Sequence, residues 1–162
     1  MSEVKKIINP FINHKGEAYN CFGCSPKNRI GFNLEFFYDG EAVYSEWEPI
    51  RDYEGYINVV HGGIQATLMD EIASWYVYAL LDTAGVTQKM NVDYLKPLYI
   101  SAGKVKVLAR LKDKNDKYAT ILTEIVNAKG VTCCSAEVVY YLFPPSLARK
   151  KYMYPGKENF WE

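Results

Sequence analysis

The chain has 162 residues, nineteen of them basic and nineteen acidic, so its formal net charge is zero. That length is enough for one domain whose core needs no covalent staples. Zero net charge excludes bulk attraction to nucleic acid or a membrane surface, and any phosphate recognition has to be local. No run reaches the roughly 18 apolar residues of a membrane span, and the Met-Ser-Glu-Val-Lys-Lys start has no long apolar region behind it. A cytoplasmic protein with no nucleic-acid or membrane partner is expected.

Residues 1–19 lack clear periodicity, and Pro10, Asn13 and Gly16 mark them as a lead-in segment. Cys21-Phe22-Gly23-Cys24 has the spacing of half a zinc site. The only other cysteines, Cys133 and Cys134, are adjacent and fall in a strand pattern, so reduced thiols, a tight turn and no metal are expected. Residues 31–38 alternate as a strand, Asp39-Gly40 forms a turn and residues 41–48 return. Residues 51–58 form a polar, aromatic loop of the kind that shapes a site.

From Gly63 to about Leu81 the pattern is helical and apolar on nearly all sides, with Ile64, Leu68, Ile72, Trp75 and Ala79 in one stripe. Asp82-Thr83-Ala84-Gly85 closes this helix, with Gly85 as the expected left-handed exit. Strands follow over 86–95, 104–112, 118–127 and 131–142. In the second of these, Val105, Val107, Ala109 and Leu111 share a face opposite mostly cations. Two strands, one long apolar helix and an antiparallel meander predict an α+β fold in which the sheet wraps the helix. The domain is placed at 20–145, and 146–162 form a tail carrying Tyr152, Tyr154, Phe160 and Trp161 that packs on the surface or against a partner.

The run His61-Gly62-Gly63-Ile64-Gln65-Ala66-Thr67-Leu68-Met69-Asp70-Glu71 concentrates the chemistry. At about 100° per residue, Ala66, Ala73 and Val77 surround Asp70 on one side, with Thr67 and Ser74 on the other. A desolvated carboxylate facing small side chains is a strong base or nucleophile. Glu71 points about 100° away, so the two acids form no shared-proton dyad. Its expected role is pairing with a base on the sheet or with a second subunit's backbone. His61 is expected to hydrogen-bond its loop, while Gly62 and Gly63 allow close approach and offer N–H groups to a developing oxyanion.

This run closely resembles the helix signature of hotdog-fold acyl-CoA thioesterases of the PaaI-like type, within the 4-hydroxybenzoyl-CoA thioesterase superfamily. Residues Cys21 to Phe32 resemble the family's Cys-Phe-Gly-Cys-Gly-Pro leader, and Thr87 to Pro97 the strand after the helix. The resemblance covers about Tyr19 to Phe143. It implies a homodimer or homotetramer with active sites at the dimer interface, hydrolysing an acyl-CoA thioester without metal or cofactor; coenzyme A enters only as part of the substrate. The implied catalytic set is Asp70 as nucleophile or base, Gly62 as oxyanion donor, Thr87 reaching in from the partner subunit, and His61. Gly63, Ser74 and the Tyr53-Glu54-Gly55-Tyr56 loop are expected to contact substrate. Many members carry Asn or Gln where this chain has Gly55, with Glu54 adjacent. Lys89, Lys96 or Arg110 would meet the coenzyme A phosphates. Trp75, Tyr76 and Tyr78 are candidates for the far end of an acyl tunnel. The alternatives are a non-catalytic acyl-CoA or small-ligand binding protein and a hydratase or dehydratase on the same fold.

Overall fold

A computed structural model describes residues 2–162. Its longest helix, α2, spans Gly62–Leu80. Leu68, Met69, Ile72, Ala73, Trp75, Val77 and Ala79 are all fully buried along it, as an apolar helix enclosed by a sheet requires. His61 caps its start: Nδ1 accepts a 2.9 Å hydrogen bond from the Gly63 N–H. The exit differs from the sequence expectation. Asp82, with φ 54°, takes the left-handed position. Gly85 is needed for a different reason, since a Cβ there would lie 2.6 Å from the Tyr141 carbonyl oxygen of the neighbouring strand.

Among the described residues seven strands form one sheet: β1 (Lys5–Ile7), β2 (Phe36–Tyr38), β3 (Val43–Trp47), β4 (Gly85–Tyr94), β5 (Val105–Lys114), β6 (Tyr118–Val126) and β7 (Thr132–Leu142). The order is β1-β2-β3-β5-β6-β7-β4, with every pairing antiparallel. The inward residues of β7, Ala136, Val138, Tyr140 and Leu142, alternate with partly exposed ones. The sheet curls around α2, the α+β hotdog arrangement expected from the sequence. β4 lies at one edge, and most of its residues are exposed. Among the described residues no helix is long and apolar enough to cross a membrane.

Three segments depart from the sequence reading. The ladder begins only at Phe36, because Phe32 and Leu34 donate their N–H groups to the carbonyls of Phe22 and Gly23, at 3.0 Å each. Those bonds tie residues 32–34 to the cysteine turn instead of the sheet. The lead-in segment is structured: β1 pairs with β2, helix α1 (Phe11–His14) follows, and Ile7 and Phe11 are buried. The tail forms helix α3 (Pro145–Tyr152) and then folds back onto α2, burying Tyr154 and Phe160 in the same core. Phe36 stacks on Trp75 at 4.2 Å, and Phe11 and Phe160 close edge-on around them. Trp75 and Tyr78 therefore fill an aromatic cluster that the two termini complete; they do not line an open tunnel.

Candidate active site

Asp70 sits near the middle of α2, half-buried, under the strand pair β4–β7. Thr87 Oγ1 donates to its Oδ1 at 2.6 Å and Tyr140 Oη donates to the same oxygen at 2.9 Å. Tyr140 also meets the Asp70 carbonyl at 2.8 Å. No described residue hydrogen-bonds Oδ2, which leaves one oxygen of a fixed carboxylate free. Thr87 and Tyr140 are directly opposite in the ladder, and the register breaks between Thr87 and Lys89, so Gln88 is an extra residue. A bulge of this kind re-aims side chains, and here Thr87 turns inward beside Tyr140. Burial and the negative charge of Asp70 push the Tyr140 phenol well above its ordinary pKa, so it stays protonated and donating.

This geometry corrects one expectation: Thr87 meets Asp70 of its own chain. It also adds Tyr140, which the sequence reading missed. The available signal was a hydroxyl at an inward position of an otherwise apolar strand, which has to find a partner when buried.

At the start of α2 the two glycines separate. The Gly63 N–H is taken by His61 Nδ1, so this nitrogen serves the loop and Gly63 offers no free donor. No described acceptor meets the Gly62 N–H. Tyr94 Oη of β4 donates to the Gly62 carbonyl at 2.8 Å, and a Cβ on Gly62 would touch that ring at 3.3 Å. A cavity of about 420 Å³ beside this donor is lined by Gly55, Tyr56, Val59, Val60, His61 and Gly62. Eight residues at about 1.5 Å rise place the Gly62 N–H about 12 Å from Asp70 along the helix axis. One carbonyl cannot contact both groups of the same chain.

The remaining sequence candidates fall elsewhere. The Glu54 carboxylate accepts from the Asn58 N–H at 3.1 Å and pairs with Arg51 at 3.4 Å, so it is occupied within its loop. Ser74 donates to the Glu71 carbonyl at 2.7 Å. Lys89 and Lys96 are exposed on and just after β4. Arg110 pairs with Glu124 at 3.7 Å on the outer face of the sheet, away from Asp70.

Glu71, like Asp70, is partly buried, but it sits in different surroundings. Burial, followed by the nearby Cys21 charge, pushes its carboxyl up to about 8. It accepts from Trp75 Nε1 at 3.1 Å and lies 3.5 Å from Cys21 Sγ, and among the described residues no cation pairs with it. The place of the expected basic partner is thus taken by an indole and a sulfur. The Cys24 thiol donates to Cys21 Sγ at 3.1 Å and holds the Cys21 thiol down at about 6, while Cys24 itself is raised.

Residues 57–134 match the sequence family described as the thioesterase superfamily. The matched segment contains α2, Asp70 and Thr87, while Tyr140 lies beyond its end. Thioesterase structures similar to this chain include one from Haemophilus influenzae, at 17% identity and TM-score 0.64 over 70% of this chain and 80% of that one. Zebrafish thioesterase superfamily member 2 gives 21% identity and TM-score 0.62 over 72% and 89%. A hypothetical thioesterase from Streptococcus pneumoniae, solved with coenzyme A, gives 21% and 0.58 over 63% and 81%. Against curated proteins the sequence finds no match.

Proposed function

We propose that the protein hydrolyses an acyl-CoA thioester at a site built from two copies of the chain. The carrying observation is the Asp70 carboxylate, held on Oδ1 by Thr87 and Tyr140 with Oδ2 unengaged. A carboxylate fixed in this way attacks a carbonyl carbon directly or draws the proton from an attacking water. The developing oxyanion needs a preorganised donor within hydrogen-bond reach. The Gly62 N–H is such a donor but lies about 12 Å from Asp70 in its own chain. The complementary donor is therefore Gly62 of the partner subunit. The exposed, ten-residue edge strand β4 supplies the surface for joining the two sheets, since an unpaired edge is a template for a second chain.

Thiol release from short, medium and aromatic acyl-CoAs tests the reading. Wild-type protein should turn over at least one of them, and Asp70→Asn, with the same shape and no negative charge, should lose about 10²–10⁴-fold in kcat. Equal turnover by the variant would refute it. Gly55 in place of an amide, with Glu54 occupied by Asn58, favours a second reading as a non-catalytic acyl-CoA binder. Calorimetric binding of the same thioesters without thiol release would establish that one.

A further inference from the structure

The cluster of Cys21, Cys24 and Glu71 lies outside the proposed chemistry, on the face of α2 turned away from Asp70. Its donor atoms, two sulfurs and a carboxylate oxygen, lie within 4.8 Å of one another. The two sulfurs are 3.1 Å apart, and Cys21 Sγ is 3.5 Å from Glu71 Oε1. We propose that these three side chains bind a zinc ion that fastens the 21–24 turn to α2.

Four independent features point to a cation. Two thiolates with a carboxylate are the donor set of a borderline-soft divalent ion, and three protein ligands leave a fourth position for water. Glu71 is enclosed without a positive partner among the described residues, and a buried carboxylate needs either a countercharge or a proton. The turn is shaped around the carboxylate, because a Cβ on Gly23 would stand 2.3 Å from Glu71 Cδ. Outer groups already orient the donors: Trp75 Nε1 donates to Glu71 Oε1 at 3.1 Å, and Tyr19 Oη lies 2.7 Å from Cys24 Sγ. Such groups fix ligand orientation in metal centres.

Tetrahedral thiolates about 2.3 Å from zinc stand about 3.8 Å apart, so the pair opens by about 0.7 Å on loading. Two thiolates and a carboxylate around a divalent ion leave one negative charge. Lys15 Nζ lies 5.7 Å from the ring centre of Tyr19, the residue whose Oη meets Cys24 Sγ. A Cys21–Cys24 disulfide would account for the thiols alone and leave the carboxylate and the glycine without a reason. The sequence reading expected no metal because it found only two ligands. The third comes from a helix 50 residues further along the chain.

The test does not depend on thioester turnover. Full-length protein is reduced, incubated with zinc, separated from free metal by gel filtration and measured by elemental analysis. Stoichiometric zinc is expected in the wild type and none in Cys21→Ser or Cys24→Ser. Glu71→Gln should keep the shape and lower zinc affinity by at least about tenfold, the scale of losing even an outer supporting group. Cobalt supplies a readout on the wild type alone, should the serine variants fail to fold. Cobalt-loaded protein should show a thiolate-to-metal charge-transfer band, and a chelator should remove the band and lower the melting temperature. Reduced protein that takes up no zinc and gives no cobalt band overturns the proposal. So does uptake that Glu71→Gln leaves unchanged, or a Cys21–Cys24 disulfide that persists through reduction.

Discussion

Gly62 is the first residue of α2, where proline is tolerated because that N–H has no partner within the helix. His61, at φ −56° and ψ 136°, already has the extended backbone that a following proline requires. Gly62→Pro therefore removes the proposed oxyanion donor while keeping the helix, at the cost of a small shift of the exposed Tyr94 ring, 3.3 Å from the new Cβ. Loss of one oxyanion donor lowers kcat by about 10²–10³-fold, or about 2.7–4 kcal/mol. Asp70→Asn alone should be at least as impaired. Mixed, the two inactive variants should recover, because the 12 Å or so between Gly62 and Asp70 requires each site to take one group from each chain. A mixed dimer has one intact site, and random exchange should return about a quarter of wild-type turnover. The assay is thiol release after equilibration of the two proteins, with native mass spectrometry to verify exchange. An inactive mixture containing verified mixed dimers would refute the two-chain site. So would full activity of Gly62→Pro.

Tyr140→Phe removes one of two hydroxyls on Asp70 Oδ1; a hydrogen bond to a charged group is worth about 1.5–3 kcal/mol, so kcat should fall about 10- to 150-fold. Thr87→Val acts on the same oxygen, and the double variant should be non-additive in a mutant cycle. Phe160→Ala opens the aromatic cluster around Trp75 and should cost about 3–5 kcal/mol in denaturant unfolding; a change below about 1 kcal/mol would mean the tail is not part of the core. A double charge at the β4 edge, Val86→Glu within the strand and Leu95→Glu just after it, should shift sedimentation toward monomer and lower turnover per chain in parallel. Monomers with undiminished activity would contradict assembly of the site from two copies.

Periodicity was sufficient wherever one element faces one environment. The apolar run of α2 and the alternation in β5, β6 and β7 place those elements to within one or two residues, since their hydrophobic faces have a single surface to cover. Residues 31–35 read as strand because their side chains alternate, but their backbone bonds went to the cysteine turn, which no side-chain pattern reveals. The terminal aromatics were illegible for a related reason: Phe11 and Phe160 acquire their burial from each other and from Trp75. Within the site, Asp70 and Gly62 were readable from spacing on one helix. Tyr140 was not, because its link to Asp70 depends on strand β7 crossing the helix and on the bulge at Gln88. The two adjacent acids were told apart by direction, but the surroundings of Glu71 were not legible, because the cysteine turn packed against it comes from far away in sequence.

The aromatic cluster has a consequence for the order of events during synthesis. Phe160 makes its contacts only after the residues before it have been translated, and the Ile8 N–H bonds its carbonyl at 2.9 Å, so two segments far apart in sequence close together. Until then, Trp75 has Phe11 and Phe36 against it but lacks the ring that closes its remaining edge. A ribosome-bound nascent chain thus carries an open aromatic edge until Phe160 arrives, the situation in which chaperone capture competes with aggregation.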